Sequence, residues 1–99
     1  MITPFHIKPE TLFRTDRRKV ESLGKAAPPA LKVYNLLRQR VIVSPVSAAQ
    51  ALEITWPTTM AAIHRLEDLG IAREITGKKR GRLYLYSKQL RLLDEGVAD

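Results

Sequence analysis

The chain has 99 residues, enough for one domain with a modest core, and 44% hydrophobic against 27% charged residues is an ordinary balance for a globular protein. No apolar run approaches the roughly 18 residues of a membrane span, and the first 25 residues are too charged for a signal peptide, so we expect a cytoplasmic protein with no membrane partner. Cysteine is absent, which excludes disulfide bonds, thiolate metal sites and a cysteine nucleophile.

The charge of the chain is strongly positive and unevenly distributed. Seventeen Lys and Arg stand against ten Asp and Glu, a formal net charge of +7. Residues 1–50 carry most of this excess, whereas residues 51–99 are nearly neutral and yet hold four basic residues within the stretch 78–82. Such a distribution favours a polyanionic partner, most often a nucleic acid.

Two helices are predicted in the first 40 residues. The first spans residues 9–23 and ends before Gly24, and we expect it to pack against another element because its apolar stripe is ragged. The Ala-Ala-Pro-Pro run at residues 26–29 predicts a break, after which Pro29 opens a second helix. The basic face of the first helix is interpreted as a solvated surface. It consists of Arg14, Arg17, Arg18 and Lys19.

Residues 41–70 predict a short extended piece and two helices joined by a tight turn. Ser44 and the following proline open a short alanine-rich helix, and Thr55 caps the next one. This second helix is expected to stop at Gly70. The helical period points one set of its residues inward: Thr59, Ala62, Ile63, Leu66 and Leu69.

The remainder of the chain predicts a β-hairpin and a last helix. Residues 71–76 and 83–86 are its strands, joined by a glycine-flanked turn, residues 77–82, here called the basic tip. Ser87 is expected to cap a helix that ends before residue 97. The tyrosines of the second strand are interpreted as packing against a terminal helix.

This order of elements is that of a winged helix-turn-helix, with the hairpin as the wing. The predicted fold is mainly α with a small β-hairpin: a three-helix core plus the wing, an extra N-terminal helix and a C-terminal helix. We divide the chain into an N-terminal segment with a linker helix, residues 1–27, and a winged helix-turn-helix domain, residues 28–99.

Double-stranded DNA is the partner that this arrangement predicts. In a helix-turn-helix the second helix lies in the major groove, and a basic wing can hold the phosphate backbone. The predicted contacts are Ser44, Thr55, Trp56, Thr58, Met60, Ala61, His64, Arg65, Lys78, Lys79, Arg80 and Arg82. The helix lacks an Arg or Asn near its start, so we expect contact with little discrimination between sequences.

Catalysis and metal binding are not predicted. His6 and His64 are interpreted as surface histidines, since no set of metal ligands accompanies them at helical spacing. No Ser–His–Asp or paired-carboxylate arrangement can be argued from spacing. We therefore expect no enzyme activity and no cofactor.

Residues 43–96 resemble the carboxy-terminal winged-helix domain of bacterial Fic-family proteins. The similar elements are TWPT at 55–58, LEDLGI at 66–71, EITGKKR at 74–80, LYLY at 83–86 and LLDEG at 92–96. Upstream, LFRTDR at 12–17 and GKAA at 24–27 resemble the helix and linker that join the family's catalytic domain to its winged helix.

The resemblance implies a parent enzyme that transfers AMP or phosphate, with this chain as its regulatory part. The family's active-site loop needs a histidine followed by Pro-Phe and a Gly-Asn-Gly-Arg cradle, whereas His6 and His64 are followed by Ile and Arg. Two further positions depart from the family pattern. Ala61 stands where a basic residue is frequent, and Glu53 stands where a turn usually has glycine and a positive φ would strain it.

Two other hypotheses stand beside the DNA-binding module. One is a protein-interaction or dimerisation module, forming a homodimer or controlling a Fic-type AMP-transferase domain. It is indicated by Trp56, Met60 and the apolar residues Ile2, Phe5 and Ile7 near the poorly amphipathic first helix. The other is a freestanding transcriptional regulator of a different winged-helix family.

Overall fold

A computed structural model of the chain describes residues 9–87, and the side chains of residues 14–87. The described chain is mainly helical, with four α-helices and a small antiparallel sheet of three strands, so the predicted mainly α class is confirmed. Its elements are α1 (Pro9–Glu21), a 3-10 turn (Gly24–Ala26), α2 (Ala27–Arg40), β1 (Ile42–Val43), α3 (Pro45–Leu52), α4 (Trp56–Asp68), β2 (Ala72–Glu74) and β3 (Tyr84–Tyr86). The predicted last helix lies outside the described residues, apart from Ser87. None of the helices described is long and apolar enough to cross a membrane.

The end of α1 lies slightly before the predicted position. The Ser22 hydroxyl donates to the carbonyl of Lys19 at 2.6 Å, and the Leu23 amide donates to the carbonyl of Val20 at 3.0 Å. Gly24 follows with φ +68°, a left-handed conformation that glycine adopts without steric cost. Gly24 is therefore the stop, as predicted, but the two residues before it already belong to a turn.

The start of α2 corrects the predicted break at residues 26–29. The helix begins at Ala27, and a two-residue turn followed by the 3-10 turn separates it from α1. Pro28 and Pro29 both lie in the first turn of α2. A proline is tolerated there because its missing N–H would have no partner inside the helix. The two prolines therefore open the helix instead of separating it from the preceding one.

The end of α2 is a strained junction with the sheet. Val41 has φ 68° and ψ −43°, which is unusual for a β-branched residue. Its amide donates to the carbonyl of Leu37 and its carbonyl accepts from the amide of Tyr86, both at 2.8 Å. The second bond connects the helix end to β3, so the sheet helps to hold Val41 in this conformation.

The predicted caps of α3 and α4 are confirmed. The Ser44 hydroxyl accepts a hydrogen bond from the Ser47 amide at 3.1 Å. The Thr55 hydroxyl accepts one from the Thr58 amide at 3.3 Å. Both caps are followed by a proline in the first turn, and both satisfy an amide that has no partner inside its helix.

A tight turn joins α3 to α4. Glu53 has φ 56°, the left-handed conformation expected at this position. The Ile54 amide donates to the carbonyl of Ala49 at 3.1 Å, which closes the end of α3. At the other end of α4, Gly70 has φ +76°, as expected for a glycine that terminates a helix.

The sheet has β3 in the centre, between β1 and β2. The two hairpin strands, β2 and β3, are three residues long each and thus shorter than predicted, although the Ile75 amide still donates to the carbonyl of Leu83 at 3.0 Å. Beyond that point the Glu74 carboxylate accepts hydrogen bonds from the amides of Thr76 and Gly77. Because those amides bond to a side chain, they do not continue the pairing between the strands.

The core lies between α2, α4 and the sheet, and α1 covers part of it. Val20 of α1 is fully buried in the same cluster as the residues of α2 and α4. The division of the chain after residue 27 stays a prediction from sequence. The largest fully buried side chains in this core are those of Tyr34, Tyr84, Tyr86, Leu37, Ile63 and Leu66.

Candidate nucleic-acid interface

Helix α4 has an inner and an outer face, largely as predicted. The inner residues Thr59, Ala62, Ile63 and Leu66 are buried, and Leu69 is half-buried. The outer residues Trp56, Thr58, Ala61, His64 and Arg65 are exposed. Met60 corrects the prediction, since it is half-buried and packs against the core. It lies next to Thr59 and one turn before Ile63, on the border between the two faces.

An open cleft of about 600 Å³ lies between the outer face of α4, the start of α3 and the basic tip. Its helical side is formed by Trp56, Met60 and His64 of α4 and by Ser44, Pro45 and Val46 at the start of α3. Its other side is formed by Lys79, Arg80, Gly81 and Arg82. None of these lining residues is acidic. The structure therefore brings together predicted contacts from three separate stretches of the chain.

The cleft also exposes apolar side chains. Val46 is 57% exposed and Trp56 is 54% exposed, so both are large apolar residues on the surface. Val46 was not among the contacts predicted from the sequence. Its place in the first turn of α3, directly after Pro45, turns its side chain toward the cleft.

The hydroxyl groups near the cleft bond mainly to each other. The Ser44 hydroxyl donates to the Ser47 hydroxyl at 2.9 Å, in addition to capping α3. The Thr55 hydroxyl donates to the Thr58 hydroxyl at 2.8 Å, in addition to capping α4. Much of the hydrogen-bonding capacity of these hydroxyls is therefore used at the two helix starts, by Ser44, Thr55 and Thr58.

Three of the predicted contacts lie on a different side of α4. Thr58, Ala61 and Arg65 line a separate groove of about 350 Å³, together with Pro57 and residues at the start of α2. They do not line the cleft. The outer face of α4 is therefore divided, with its apolar part turned toward the basic tip and its one arginine, Arg65, turned toward α2.

The basic tip has a defined conformation. Gly77 and Gly81 both have φ +66°, so left-handed residues flank the cluster of cations. The Arg82 guanidinium donates through Nε to the carbonyl of Lys78. Lys78, Lys79 and Arg80 are exposed, whereas Arg82 is half-buried. Lys78 does not line the cleft.

Glu74 organises the chain entering the basic tip, a role that the sequence reading missed. One carboxylate oxygen, Oε2, accepts hydrogen bonds from the Thr76 hydroxyl, from the Thr76 amide at 2.6 Å and from the Gly77 amide at 2.7 Å. The bond from the Thr76 hydroxyl and the bond from the Gly77 amide hold the pKa of the Glu74 carboxyl below its usual value. A carboxylate shortly before Thr-Gly at the end of a strand was the available signal.

A buried hydrogen bond between α1 and β3 was also missed. The Tyr86 hydroxyl donates to Oδ2 of Asp16 at 2.7 Å, and both side chains are fully buried. The other oxygen, Oδ1, is buried and has no hydrogen-bond partner among the described residues. The Tyr34 ring packs edge-on against Tyr86, with centroids 5.9 Å apart. Burial raises the pKa of the Tyr86 phenol, and its bond to Asp16 raises it further.

No metal site is present among the described residues. Groups of three or more His, Cys, Asp or Glu side chains that could hold an ion do not occur in this part of the chain. His64 is exposed at the cleft, in keeping with a surface histidine. His6 lies outside the described residues.

The chain was compared with family models, with curated proteins and with solved structures, and none of them matches it. The similarity of residues 43–96 to the Fic-family winged helix stays a prediction based on the residues themselves. The cleft and the basic tip are therefore the features from which a function can be inferred.

Proposed function

We propose that the chain is a winged-helix DNA-binding module, in which α4 enters the major groove and the basic tip, as the wing, contacts the phosphate backbone. The cleft is the observation that carries this proposal. It places Trp56, Met60 and His64 of α4 opposite Lys79, Arg80 and Arg82 on one side of the molecule. A single duplex could therefore contact both surfaces together.

The electrostatics of the basic tip support a polyanionic partner. Four cations lie within five residues, and the carboxylate that precedes them in the chain, Glu74, accepts hydrogen bonds from the amides of Thr76 and Gly77. If all four cations contact phosphates, each adds about 0.9 to the slope of log K against log salt. The expected binding is accordingly weak at physiological salt and much stronger at low salt.

The amino end of α4 offers a second, smaller contribution. The first amides of a helix have no partner inside it, and they favour a negatively charged group nearby. Thr55 satisfies one of them through its hydroxyl. Pro57 has no N–H, so among residues 56–58 the Trp56 amide is the one that remains, and a phosphate bound to it would be close to the cleft that Trp56 lines.

Fluorescence anisotropy with a labelled random duplex, titrated with salt, tests the proposal. We expect binding at low salt with a slope of about 3 to 4 from the tip, and a loss of roughly tenfold or more in affinity when Lys78, Lys79, Arg80 and Arg82 are all replaced by Ala. The matched control replaces Arg14, Arg17, Arg18 and Lys19, which removes the same charge from the exposed face of α1.

Two results would contradict the proposal. One is no binding to duplex DNA at low salt. The other is an equal loss of affinity in the two fourfold variants, because a general effect of net charge would then explain the binding. Circular dichroism of each variant shows whether its helices are retained.

A protein-interaction module is the second candidate function, and the exposure of Val46 and Trp56 favours it. In that case the cleft would bind another copy of the chain or a Fic-type catalytic domain, as the resemblance implies. In either case we propose that the chain binds and does not catalyse. Sedimentation at several concentrations shows whether the chain forms a tight dimer. Quenching of the Trp56 fluorescence shows whether that dimer covers the cleft. A tight dimer in which Trp56 is protected from the quencher would favour the second candidate.

A further inference from the structure

The side of the cleft formed by the helices is mainly apolar, although it faces the cations of the tip. Val46 and Trp56 are each more than half exposed, and Met60 is half-buried against the core. Contact between large apolar side chains and water is unfavourable, and contact with an apolar group of a ligand is favourable because it removes apolar surface from water. The ligand for this cleft should thus offer apolar atoms together with negative charge.

Hydrogen-bonding groups contribute little to the same surface. The hydroxyls of Ser44, Thr55 and Thr58 bond within the two helix starts, and Arg65 lies on the other side of α4. His64 and Trp56 are the residues of α4 with polar side-chain atoms that line the cleft. Direct recognition of a guanine or an adenine by a bidentate Arg or Asn is therefore not available from this face of α4.

From these observations we infer that the cleft recognises thymine methyl groups in the major groove, through Trp56 and Val46. The C5-methyl of thymine is the apolar group that a base pair presents there. The cations of the tip account for the negative charge of the ligand, since they would hold the adjacent phosphates. This inference rests on the proposed function, and it names the class of duplex that the cleft prefers.

The test compares duplexes that differ only in methyl groups. One pair has an alternating A·T sequence with thymine or with deoxyuridine, so a bound protein meets methyl groups in any register. The other pair is a mixed G·C-rich duplex with cytosine or with 5-methylcytosine. We expect anisotropy to show about fourfold weaker binding for each contacted methyl that deoxyuridine removes, and stronger binding when 5-methylcytosine adds one.

Two variants and one control assign the preference to residues. Trp56→Ala should lose most of the preference for thymine over deoxyuridine while keeping the salt dependence of the wild type, because the cations are unchanged. Val46→Ala removes less surface and should reduce the preference only in part. Ile42→Ala is the control, since Ile42 is a 44% exposed apolar residue that does not line the cleft.

The outcomes distinguish this inference from the proposed function. Binding to both A·T duplexes with equal affinity in the wild type would overturn the inference and leave the DNA-binding module standing. An unchanged preference for thymine in both Trp56→Ala and Val46→Ala would also overturn it. An absence of duplex binding at low salt, or a dimer that covers Trp56, would overturn the proposed function and the inference together.

Discussion

Glu74 shows how one side chain can set the shape of a binding loop. Its carboxylate holds the Thr76 hydroxyl and two successive amides, which turns the chain out of β2 and into the basic tip. These bonds favour the charged form and lower the pKa of the carboxyl. A group with a lowered pKa stabilises the folded state above its unfolded value of about 4.5, and this contribution is lost as the pH falls through the lower folded value.

We predict that the amide resonances of Thr76 and Gly77 titrate together, with a midpoint below 4.5, the usual value for Glu. Protonation weakens both hydrogen bonds at once because they share one carboxylate oxygen. Two-dimensional NMR between pH 7 and pH 3 measures the midpoint. Glu74→Gln should abolish the titration of both amides, and the control Glu67→Gln should leave it unchanged.

A different result would remove Glu74 from this role. If the two amides titrate with different midpoints, or still titrate in Glu74→Gln, another group controls them. The sequence predicted that Glu74 lies in a strand, residues 71–76, but it could not predict the hydrogen bonds of the carboxylate. They depend on how the backbone bends at Thr76 and Gly77, which propensity does not specify.

The turn between α3 and α4 determines how these two elements meet. Glu53 holds a left-handed conformation there, with φ 56°. A residue with a Cβ adopts this conformation at a cost of about 1 to 2 kcal/mol, while glycine adopts it without that cost but loses more backbone entropy on folding. The first effect is the larger one, so glycine should be the more stable residue at this position.

We predict that Glu53→Gly raises the free energy of unfolding by about 0.5 to 1 kcal/mol, measured by urea denaturation. Glu53→Ala is the matched control, because it removes the same carboxylate and keeps the Cβ. It should leave the free energy of unfolding nearly unchanged. Equal effects of Gly and Ala would mean that the carboxylate, and not the backbone, determines the stability of this turn.

The elements themselves were mostly predictable, because their signals are local. Ser44 and Thr55, each followed by a proline in the first turn, marked two helix starts, and Gly24 and Gly70 marked two ends. The predicted break at residues 26–29 was wrong, because the two prolines lie in the first turn of α2. Pro-Pro can open a helix as well as separate two, and the difference depends on the turn that precedes them.

At the scale of the whole molecule, a bond between residues 16 and 86 connects α1 to the sheet. The Tyr86 hydroxyl donates to Asp16 inside the core, and Val20 of α1 is buried nearby in the same cluster. Removing one partner of a buried hydrogen bond leaves the other polar group buried without a partner, so its loss of hydration is no longer offset by a hydrogen bond. The connection of α1 to the body therefore depends strongly on this pair.

We predict that Tyr86→Phe lowers the free energy of unfolding by about 2 kcal/mol, because Asp16 then stays buried without its donor. Urea denaturation measures the change. Tyr84→Phe is the control, since Tyr84 is equally buried and has no hydrogen bond to Asp16. In the double variant Asp16→Ala, Tyr86→Phe the loss should be smaller than the sum of the two single losses.

Additive losses in that double variant would show that the two side chains act independently and would contradict the coupling. An equal loss in Tyr84→Phe would attribute the effect to packing of the strand. No pattern in the sequence predicted the hydrogen bond between Tyr86 and Asp16. From the sequence, Tyr86 is predicted to pack against a terminal helix, and Asp16 has no predicted contact.

The amino-acid sequence by itself determined the order of the elements, the caps at Ser44 and Thr55, the inner stripe of α4 and the charge of the basic tip. These features arise from interactions between residues a few positions apart, so their patterns are visible along the chain. Only the tertiary structure decided that the tip faces Trp56 across a cleft, that Met60 turns partly into the core and that Tyr86 binds Asp16. Those contacts join distant residues, and they form because packing the core sets the relative positions of elements that no local signal can specify.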